Sequence, residues 1–416
     1  RMPPLNHYND LPDQAYYLKA LARLTNFGVI EPNASGGFAA DEPVTRAEFA
    51  VWLARSLQLQ PAQGSVFKDV PASSAEAPYI TALYRRGLVR GYGDGTFRGD
   101  RPISRAEAAA LLAGITGRPG APHHAAAFAD VRPDDWFSGA VGLLANMRIV
   151  TGKARGEFAP HDRLTRGEAA VLLYRLLFEV KRIEAFGGDT VTINGHVYRW
   201  DGALAGLFSE ANRAALIGSE IWFENDGDLI LSITGLSLGG DADAPLILDG
   251  GGVSIDGSLF VSADIAVVAN IRMKQNLFVT PLARDAILLH NVKVDGDTEL
   301  WPLIGGEGRQ YWFLYANVTL ANGLQTDRPV AMANLGAGPA AAQGGAAASA
   351  AKGAVKGAAK GASPVVITAV NDYAIVTDLM RGLQKGRSYR KKRSHRRSAQ
   401  RAAEHPVESD RCRQPG

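Results

Sequence analysis

The sequence predicts a multidomain protein with an all-α bundle of three repeats, a β-rich domain of the β-solenoid type and a disordered tail. Three observations predict this: one pattern recurs three times within the first 180 residues, β-prone segments begin near Thr190, and the composition changes abruptly near the C-terminus. We expect the repeats at residues 1–60, 61–121 and 122–182, the β-rich domain at 186–333, a Gly/Ala-rich linker at 334–364, and a short β-prone piece with a basic tail at 365–416.

The composition limits the classes of protein to consider. The chain has 416 residues, 46% apolar and 21% charged, and is therefore mostly globular. Its net charge of +3 arises from residues 381–416, which hold 12 Lys/Arg and 3 Asp/Glu; the remainder holds 33 basic and 39 acidic residues. The body is therefore not a nucleic-acid binder. No apolar run approaches the roughly 18 residues of a membrane helix, and no signal-peptide core is visible. A single cysteine, Cys412, excludes disulfide scaffolds and multi-Cys metal sites, and we expect no cofactor.

The three copies align without a gap. Each starts with an aromatic-x-Asp-apolar motif, and 36 residues after that Asp comes an Arg that follows Thr or Ser. Each copy reads as helix, Gly-rich turn, helix. The Thr or Ser, with a Glu three residues later, predicts a capping box at the start of the second helix. The Asp/Arg pairs are Asp10/Arg46, Asp69/Arg105 and Asp130/Arg166.

These motifs resemble the S-layer homology (SLH) family over about residues 5–180. The second copy carries the clearest match, with Phe67-Lys68-Asp69-Val70, Gly91-Tyr92-Gly93-Asp94-Gly95 and Ser104-Arg105-Ala106-Glu107. The resemblance implies a pseudo-threefold helical bundle that attaches exported proteins non-covalently to the cell envelope. The usual ligand of such domains is a secondary cell-wall polysaccharide, which often carries a pyruvyl ketal.

A pyruvyl ketal presents a carboxylate, which suits the start of the second helix. We expect Arg46, Arg105 and Arg166 to project there beside free helix amides, where a guanidinium could grip a carboxylate in a bidentate manner. Capping alone does not require Arg in all three copies. The alternative is that each Arg is a solvated surface charge. The neighbouring Glu48, Glu107 and Glu168 are expected to act in capping.

The copies differ at the other candidate ligand-binding positions. Trp136 occupies the place where the SLH pattern has a Trp that could stack on a sugar, and Tyr16 and Ala75 stand there in the other copies. We therefore expect one or two competent grooves, with Arg166 contributing most because its own repeat holds Trp136. Asp69 and Asp130 either bind sugar hydroxyls or cap a helix start. Turn residues complete the candidate set: Gly91, Tyr92 and Gly152.

In the middle region, an Asn followed by alternating apolar residues recurs at spacings of 21 and 26, at Asn270, Asn291 and Asn317. This pattern favours β-solenoid coils with stacked asparagines, and an antiparallel sandwich is the alternative. The acidic stretch from Asp241 to Asp256 could supply paired carboxylates or a calcium site, but Asp beside Gly is ordinary turn chemistry. Because no G-x-S-x-G, H-E-x-x-H or P-loop motif occurs, we expect no catalysis. The competing hypothesis is a wall-anchored lyase or hydrolase acting on glycans through the β-rich domain.

The basic run at residues 387–401 is typical of a solvated, disordered segment. It could bind anionic wall polymer or nucleic acid, or it could be an out-of-frame end. Together these observations predict an extracellular protein of the cell wall or S-layer. Its expected partner is a secondary cell-wall polysaccharide or a peptidoglycan-linked glycan, with no specific nucleic acid; self-association at the surface is left open.

Overall fold

The computed structural model describes residues 5–153, 156–239, 245–280, 286–301, 311–326, 330–335 and 365–367. The chain divides into two compact units, Arg1–Asp201 with Glu220–Ile233 and Gly202–Ser219 with Thr234–Gly416. The division differs from the boundary expected at residue 186, because the first strands group with the helices. Nearly all of the predicted linker and tail lies outside the described residues.

Each repeat in the first unit contributes two main helices, as the sequence predicts. Repeat 1 holds α1 (Leu18–Asn26) and α2 (Arg46–Ser56), and repeat 2 holds α3 (Ala77–Arg85) and α4 (Arg105–Ile115). Repeat 3 begins with a short turn of helix, α5 (Pro122–Ala125), followed by α6 (Ser138–Asn146) and α7 (Arg166–Leu177). The predicted capping box is complete at α4 and α7, whereas at α2 only the Thr45 half forms.

A cycle of backbone hydrogen bonds closes the three repeats around a common axis. The amide of Val44 donates to the carbonyl of Leu164 (2.9 Å), Leu164 donates to Ile103 (2.9 Å), and Ile103 donates to Val44 (3.1 Å). All three side chains are fully buried. Because each repeat donates to one neighbour and accepts from the other, the pseudo-threefold arrangement is built into the main chain.

Five strands follow the helices of the first unit, and they pair in both the antiparallel and the parallel sense. These are β1 (Ile183–Gly187), β2 (Thr190–Ile193), β3 (His196–Trp200), β4 (Glu220–Asp226) and β5 (Leu229–Gly239), the last of which is divided between the two units. β1, β2 and β3 pair antiparallel, β3 pairs parallel with β5, and β4 pairs with β5. The β4–β5 hairpin turn is fixed to the end of α6, because Asn146 and Asn225 exchange side-chain and backbone hydrogen bonds of 2.7–3.1 Å.

The second unit contains a short helix, α8 (Arg213–Leu216), and two series of parallel strands. Its strands are β6 (Leu246–Ile255), β7 (Ser258–Ser262), β8 (Ile265–Met273), β9 (Leu277–Val279), β10 (Ala286–Val294), β11 (Thr298–Leu300), β12 (Trp312–Leu320), β13 (Leu324–Thr326), β14 (Ala331–Asn334) and β15 (Val365–Ile367), which pairs antiparallel with β12. One parallel series runs β6–β8–β10–β12–β14, and the other runs from the end of β5 through β7, β9 and β11 to β13. The parallel pairing excludes the antiparallel sandwich.

The asparagines expected to stack do form a ladder across β8, β10 and β12. Asn317 donates to Asn291, Asn291 to Asn270, and Asn270 to Asp249, each at 2.9 Å. The three asparagines have φ angles of 50–52°, a left-handed conformation that Asn tolerates better than most residues. Each therefore bends its strand at the same level while its amide joins the next strand.

No helix within the described residues has both the length and the apolar character that crossing a lipid bilayer requires.

Candidate functional site

The candidate ligand sites are the grooves between neighbouring repeats. The first groove, between repeats 1 and 2, encloses about 560 Å³ and is lined by the start of α2 and by the segment that leads into α3. By the repeat register, the second groove lies between repeats 2 and 3, and the third between repeats 3 and 1. Its lining includes Thr45, Glu48, Trp52, Asp69, Ala75 and Arg166.

The helix-start amides expected to be free are in fact occupied. The amide of Arg46 donates to the carbonyl of Arg101 (2.9 Å), and the amide of Ala47 donates to Gly99 (2.9 Å). The corresponding amides of α4 and α7 bond in the same way to repeats 3 and 1. The prediction that a ligand meets free helix amides at these starts is therefore wrong, because the neighbouring repeat uses them first.

The three candidate arginines are buried, with exposed fractions of 7% for Arg46, 7% for Arg105 and 9% for Arg166. They are therefore not solvated surface charges. Arg105 donates to the Phe158 carbonyl (2.8 Å) and forms an ion pair with Glu168 (2.9 Å). Each of these contacts lies in the following repeat, so the arginine joins two repeats.

Arg166 repeats this arrangement across the junction of repeats 3 and 1. It donates to the Phe38 carbonyl (2.6 Å), forms an ion pair with Glu48, and lies over the ring of Trp52. The charges of Arg105 and Arg166 are thus each balanced by a glutamate of the second helix in the next repeat.

Arg46 departs from this pattern. Its guanidinium donates to the Arg90 carbonyl (3.0 Å) and lies 4.8 Å from the centre of the Phe97 ring. Among the described residues it has no carboxylate within 4.0 Å, and its Nε has no hydrogen-bond partner. Burial lowers the pKa of the Arg46 guanidinium from its usual value. Arg46 is therefore a buried cation whose equivalent carboxylate, Glu107, is engaged elsewhere.

Glu107 is held by Arg101, a residue that the sequence analysis missed. Arg101 forms an ion pair with Glu107, and the Tyr92 hydroxyl donates to the same carboxylate at 2.8 Å. Partial burial opposes ionisation of Glu107, but the Ser104 amide, Tyr92 and Arg101 outweigh it and hold its pKa below the usual value. The sequence did carry a sign that Arg101 is special, because the charge at this position is reversed in the second repeat. The equivalent residues are acidic: Glu42 in repeat 1 and Asp162 in repeat 3.

The stacking positions face the preceding repeat. Ala75 lines the first groove with Glu48, and the Tyr16 hydroxyl would lie 2.9 Å from a Cβ added to Gly167 in repeat 3. The same register places Trp136, 67% exposed, in the second groove. This register groups Trp136 with Arg46 instead of Arg166.

The aspartates that recur at the start of each repeat hold loops instead of capping helix starts. Asp69 accepts hydrogen bonds from the amides of Phe97 (2.7 Å) and Arg98 (2.6 Å), and Asp130 accepts from Phe158 and Ala159 (2.7 Å each). Partial burial acts against ionisation of Asp69, but these amides keep its pKa below the usual value. Both carboxylates therefore position the turn that precedes the second helix.

Gly91 and Gly152 serve close packing. A Cβ at Gly91 would lie 2.3 Å from the Phe67 ring and 2.6 Å from the Thr96 carbonyl oxygen. At Gly152 the nearest atoms, 3.0 Å away, belong to Phe128 and Glu157. The two glycines therefore let the loop approach the aromatic residue that opens each repeat.

The closed repeats, with arginines joining each copy to the next, define a three-repeat helical module. The S-layer homology domain family matches residues 7–50, 66–109 and 127–170, so the chain contains three SLH domains.

Curated proteins match parts of this chain. A cell surface protein of Thermoanaerobacter kivui is 28% identical over 190 residues, which are 44% of this chain and 23% of the relative. A surface layer protein of Brevibacillus choshinensis is 37% identical over 101 residues (24% and 9%), and an amylopullulanase of Thermoanaerobacterium thermosulfurigenes is 29% identical over 176 residues (41% and 9%). The chain spans less than a quarter of each relative. The matches indicate a cell-surface location, and the relatives include an enzyme by name.

Proposed function

We propose that the three SLH repeats anchor this protein non-covalently to the bacterial cell envelope by binding a secondary cell-wall polysaccharide that carries a carboxylate, such as a pyruvylated glycan. The second groove is the principal ligand site in this proposal. The observation that carries it is the buried guanidinium of Arg46, which has no carboxylate partner among the described residues.

Charge distinguishes the second groove from the other two. In the second groove Glu107 pairs with Arg101 and leaves Arg46 without a direct ion pair, whereas Arg166 pairs with Glu48 in the first groove and Arg105 pairs with Glu168 in the third. A ligand carboxylate in the second groove would give a direct ion pair to a buried guanidinium that Glu107 stabilises only at longer range. Such charge-assisted hydrogen bonds are the strong ones, and an Arg can make two at once.

The exposed Trp136 supplies the second half of the proposed site. A sugar ring has an apolar face that can lie against an indole, and Trp136 has most of its surface free for this contact. Tyr92 adds a polar group, because its hydroxyl already bonds Glu107 at the groove. The site thus combines a cation for the acidic substituent with an aromatic platform for the sugar.

For the second unit we propose a β-solenoid with a structural or adhesive role. The parallel strand series and the asparagine ladder support this proposal. The alternative, a glycan-active enzyme, would require convergent free carboxylates. Asp249 accepts from Asn270 and Gly251, and Asp256 forms an ion pair with Lys274, so these two carboxylates are already engaged. Asp241 and Asp243 lie outside the described residues.

A tryptophan substitution tests the proposed groove. Replacing Trp136 by Ala in the full chain should weaken binding of a purified pyruvylated wall glycan by about 2- to 12-fold, since an aromatic contact contributes roughly 0.5–1.5 kcal/mol. Binding is measured by isothermal titration calorimetry. The control is Trp222→Ala, which removes a half-exposed tryptophan from β4 and should leave the affinity unchanged. Equal affinities for the wild type and Trp136→Ala would contradict the placement of the ligand in this groove.

A further inference from the structure

Three potential metal ligands converge in the first unit, away from the grooves. His123 and His124 lie in α5, and Asp226 lies at the end of β4. Nε2 of His124 is 2.7 Å from Oδ1 of Asp226, and Nε2 of His123 is 3.5 Å from the same oxygen. One ligand atom from each residue lies within 4.8 Å of the other two. The SLH repeat pattern explains none of these three residues.

The elements that carry the three side chains are rigidly placed. Helix α5 packs against α6 at Gly142, where an added Cβ would lie 1.8 Å from the Ala121 carbonyl oxygen. The turn after Asp226 is held on the same helix, because the Asn146 side chain accepts from the Gly227 amide at 2.8 Å. The ligands from α5 and from the hairpin therefore face each other without a change of backbone.

We propose that His123, His124 and Asp226 bind a divalent transition-metal ion of the Zn²⁺ class. Zn²⁺ takes imidazole nitrogen and carboxylate oxygen at about 2.0–2.2 Å, so tetrahedral ligands lie about 3.3 Å apart. The two nitrogen–oxygen distances, 2.7 and 3.5 Å, lie on either side of that value. Two imidazoles with a single carboxylate suit zinc, nickel or copper, whereas calcium and magnesium prefer all-oxygen sites.

A metal bound here would hold two elements together and would keep one coordination position free of protein ligands. Its ligands come from α5 of repeat 3 and from the β4–β5 hairpin, so the bound metal would join two elements that are distant in sequence. Because metal binds the folded site and not the unfolded chain, it should raise the stability of the first unit. Three protein ligands leave a fourth coordination position for water or for a ligand from outside, and the exposure of His123 and Asp226 leaves that side accessible.

The experiment uses the full chain carrying Cys412→Ser, stripped of metal with a chelator, because Cys412 could bind zinc by itself. Zinc chloride is titrated by calorimetry, and the melting temperature is measured with zinc, magnesium or calcium. We expect one zinc per chain and a higher melting temperature with zinc alone. His124→Gln and Asp226→Asn should each weaken zinc binding at least about tenfold. Matched controls are His7→Gln and Asp189→Asn, exposed residues outside the cluster, which should bind as the parent does.

Two results would overturn the proposal. One is the absence of a zinc-dependent rise in melting temperature in the parent protein. The other is a rise that persists unchanged in His124→Gln and Asp226→Asn, which would assign the zinc to other residues. Melting curves of all variants without metal serve as the folding control. If a metal-free variant melts at the same temperature as the parent, its weaker zinc binding is not caused by a folding defect. Replacement of zinc by cobalt gives a further readout, because four-coordinate cobalt absorbs intensely in the visible range whereas the octahedral aqua ion absorbs weakly; a spectrum like that of the aqua ion would contradict the proposal.

Discussion

Replacing Arg105 by Met should lower the free energy of unfolding of the first unit by about 3 kcal/mol, the typical cost of breaking a buried ion pair. The substitution keeps an apolar side chain of similar length but removes the partner of Glu168. It also removes hydrogen bonds to the carbonyls of Phe158 and Thr151. The measurement is urea unfolding of the full chain, followed by the helical circular dichroism signal.

A second substitution separates the ion pair from general packing. In the double variant Arg105→Met, Glu168→Gln, no uncompensated carboxylate remains, so we expect recovery of about half or more of the lost stability. The Glu168 side chain also accepts from the Thr165 amide (3.0 Å), and Gln can still make that bond. A double variant less stable than the single would show that the charge is not what makes Arg105 necessary.

Replacing Arg46 by Met should have the opposite profile, with a large effect on ligand binding and a small effect on folding. Loss of a charge-assisted contact to a ligand carboxylate costs roughly 1.5–3 kcal/mol, or about 10- to 150-fold in affinity. Stability should change by less than about 1 kcal/mol, since the removed charge is buried without a carboxylate partner and its desolvation is unfavourable. Affinity for the purified wall glycan and a melting curve are measured together.

The control for Arg46→Met is Arg86→Met. Arg86 is an exposed residue at the end of α3, and its substitution removes the same charge from the same unit. Its affinity should match that of the wild type. If Arg46→Met and Arg86→Met bound equally well, the unpaired guanidinium would have no role in recognition, and the choice of the second groove would be wrong.

The sequence predicted the repeats well because their signals are local. Capping residues, Gly-rich turns and the 36-residue spacing each lie within one copy, and the helices begin where the Thr or Ser predicts. Cross-repeat contacts were not predictable in this way. Arg105 pairs with Glu168 and Arg166 with Glu48, and only the closed cycle of repeats brings such residues together. Without these contacts in view, the sequence predicted that the three arginines bind a ligand beside free helix amides. In the structure they are buried between repeats.

In the β-rich region, too, the local repeat was predictable from the sequence and the long-range contacts were not. The asparagine spacing predicted the ladder, since stacking follows from a repeat along the chain. The boundary at residue 186 did not match the compact units, because the hairpin at 220–233 groups with the helices through the hydrogen bonds of Asn225 to Asn146. The sequence did not predict the cluster of two imidazoles and a carboxylate either, since His124 and Asp226 are about 100 residues apart in the chain.

Co-sedimentation with cell-wall sacculi tests the central claim of wall anchoring most directly. The full chain is mixed with purified sacculi before and after chemical removal of the secondary polysaccharide, at high salt, which screens attraction between the basic segment at 381–416 and anionic polymer. We predict that the protein sediments with intact sacculi and stays in solution with stripped sacculi. Equal sedimentation with both preparations would contradict recognition of the secondary polysaccharide, and so would the absence of sedimentation with either.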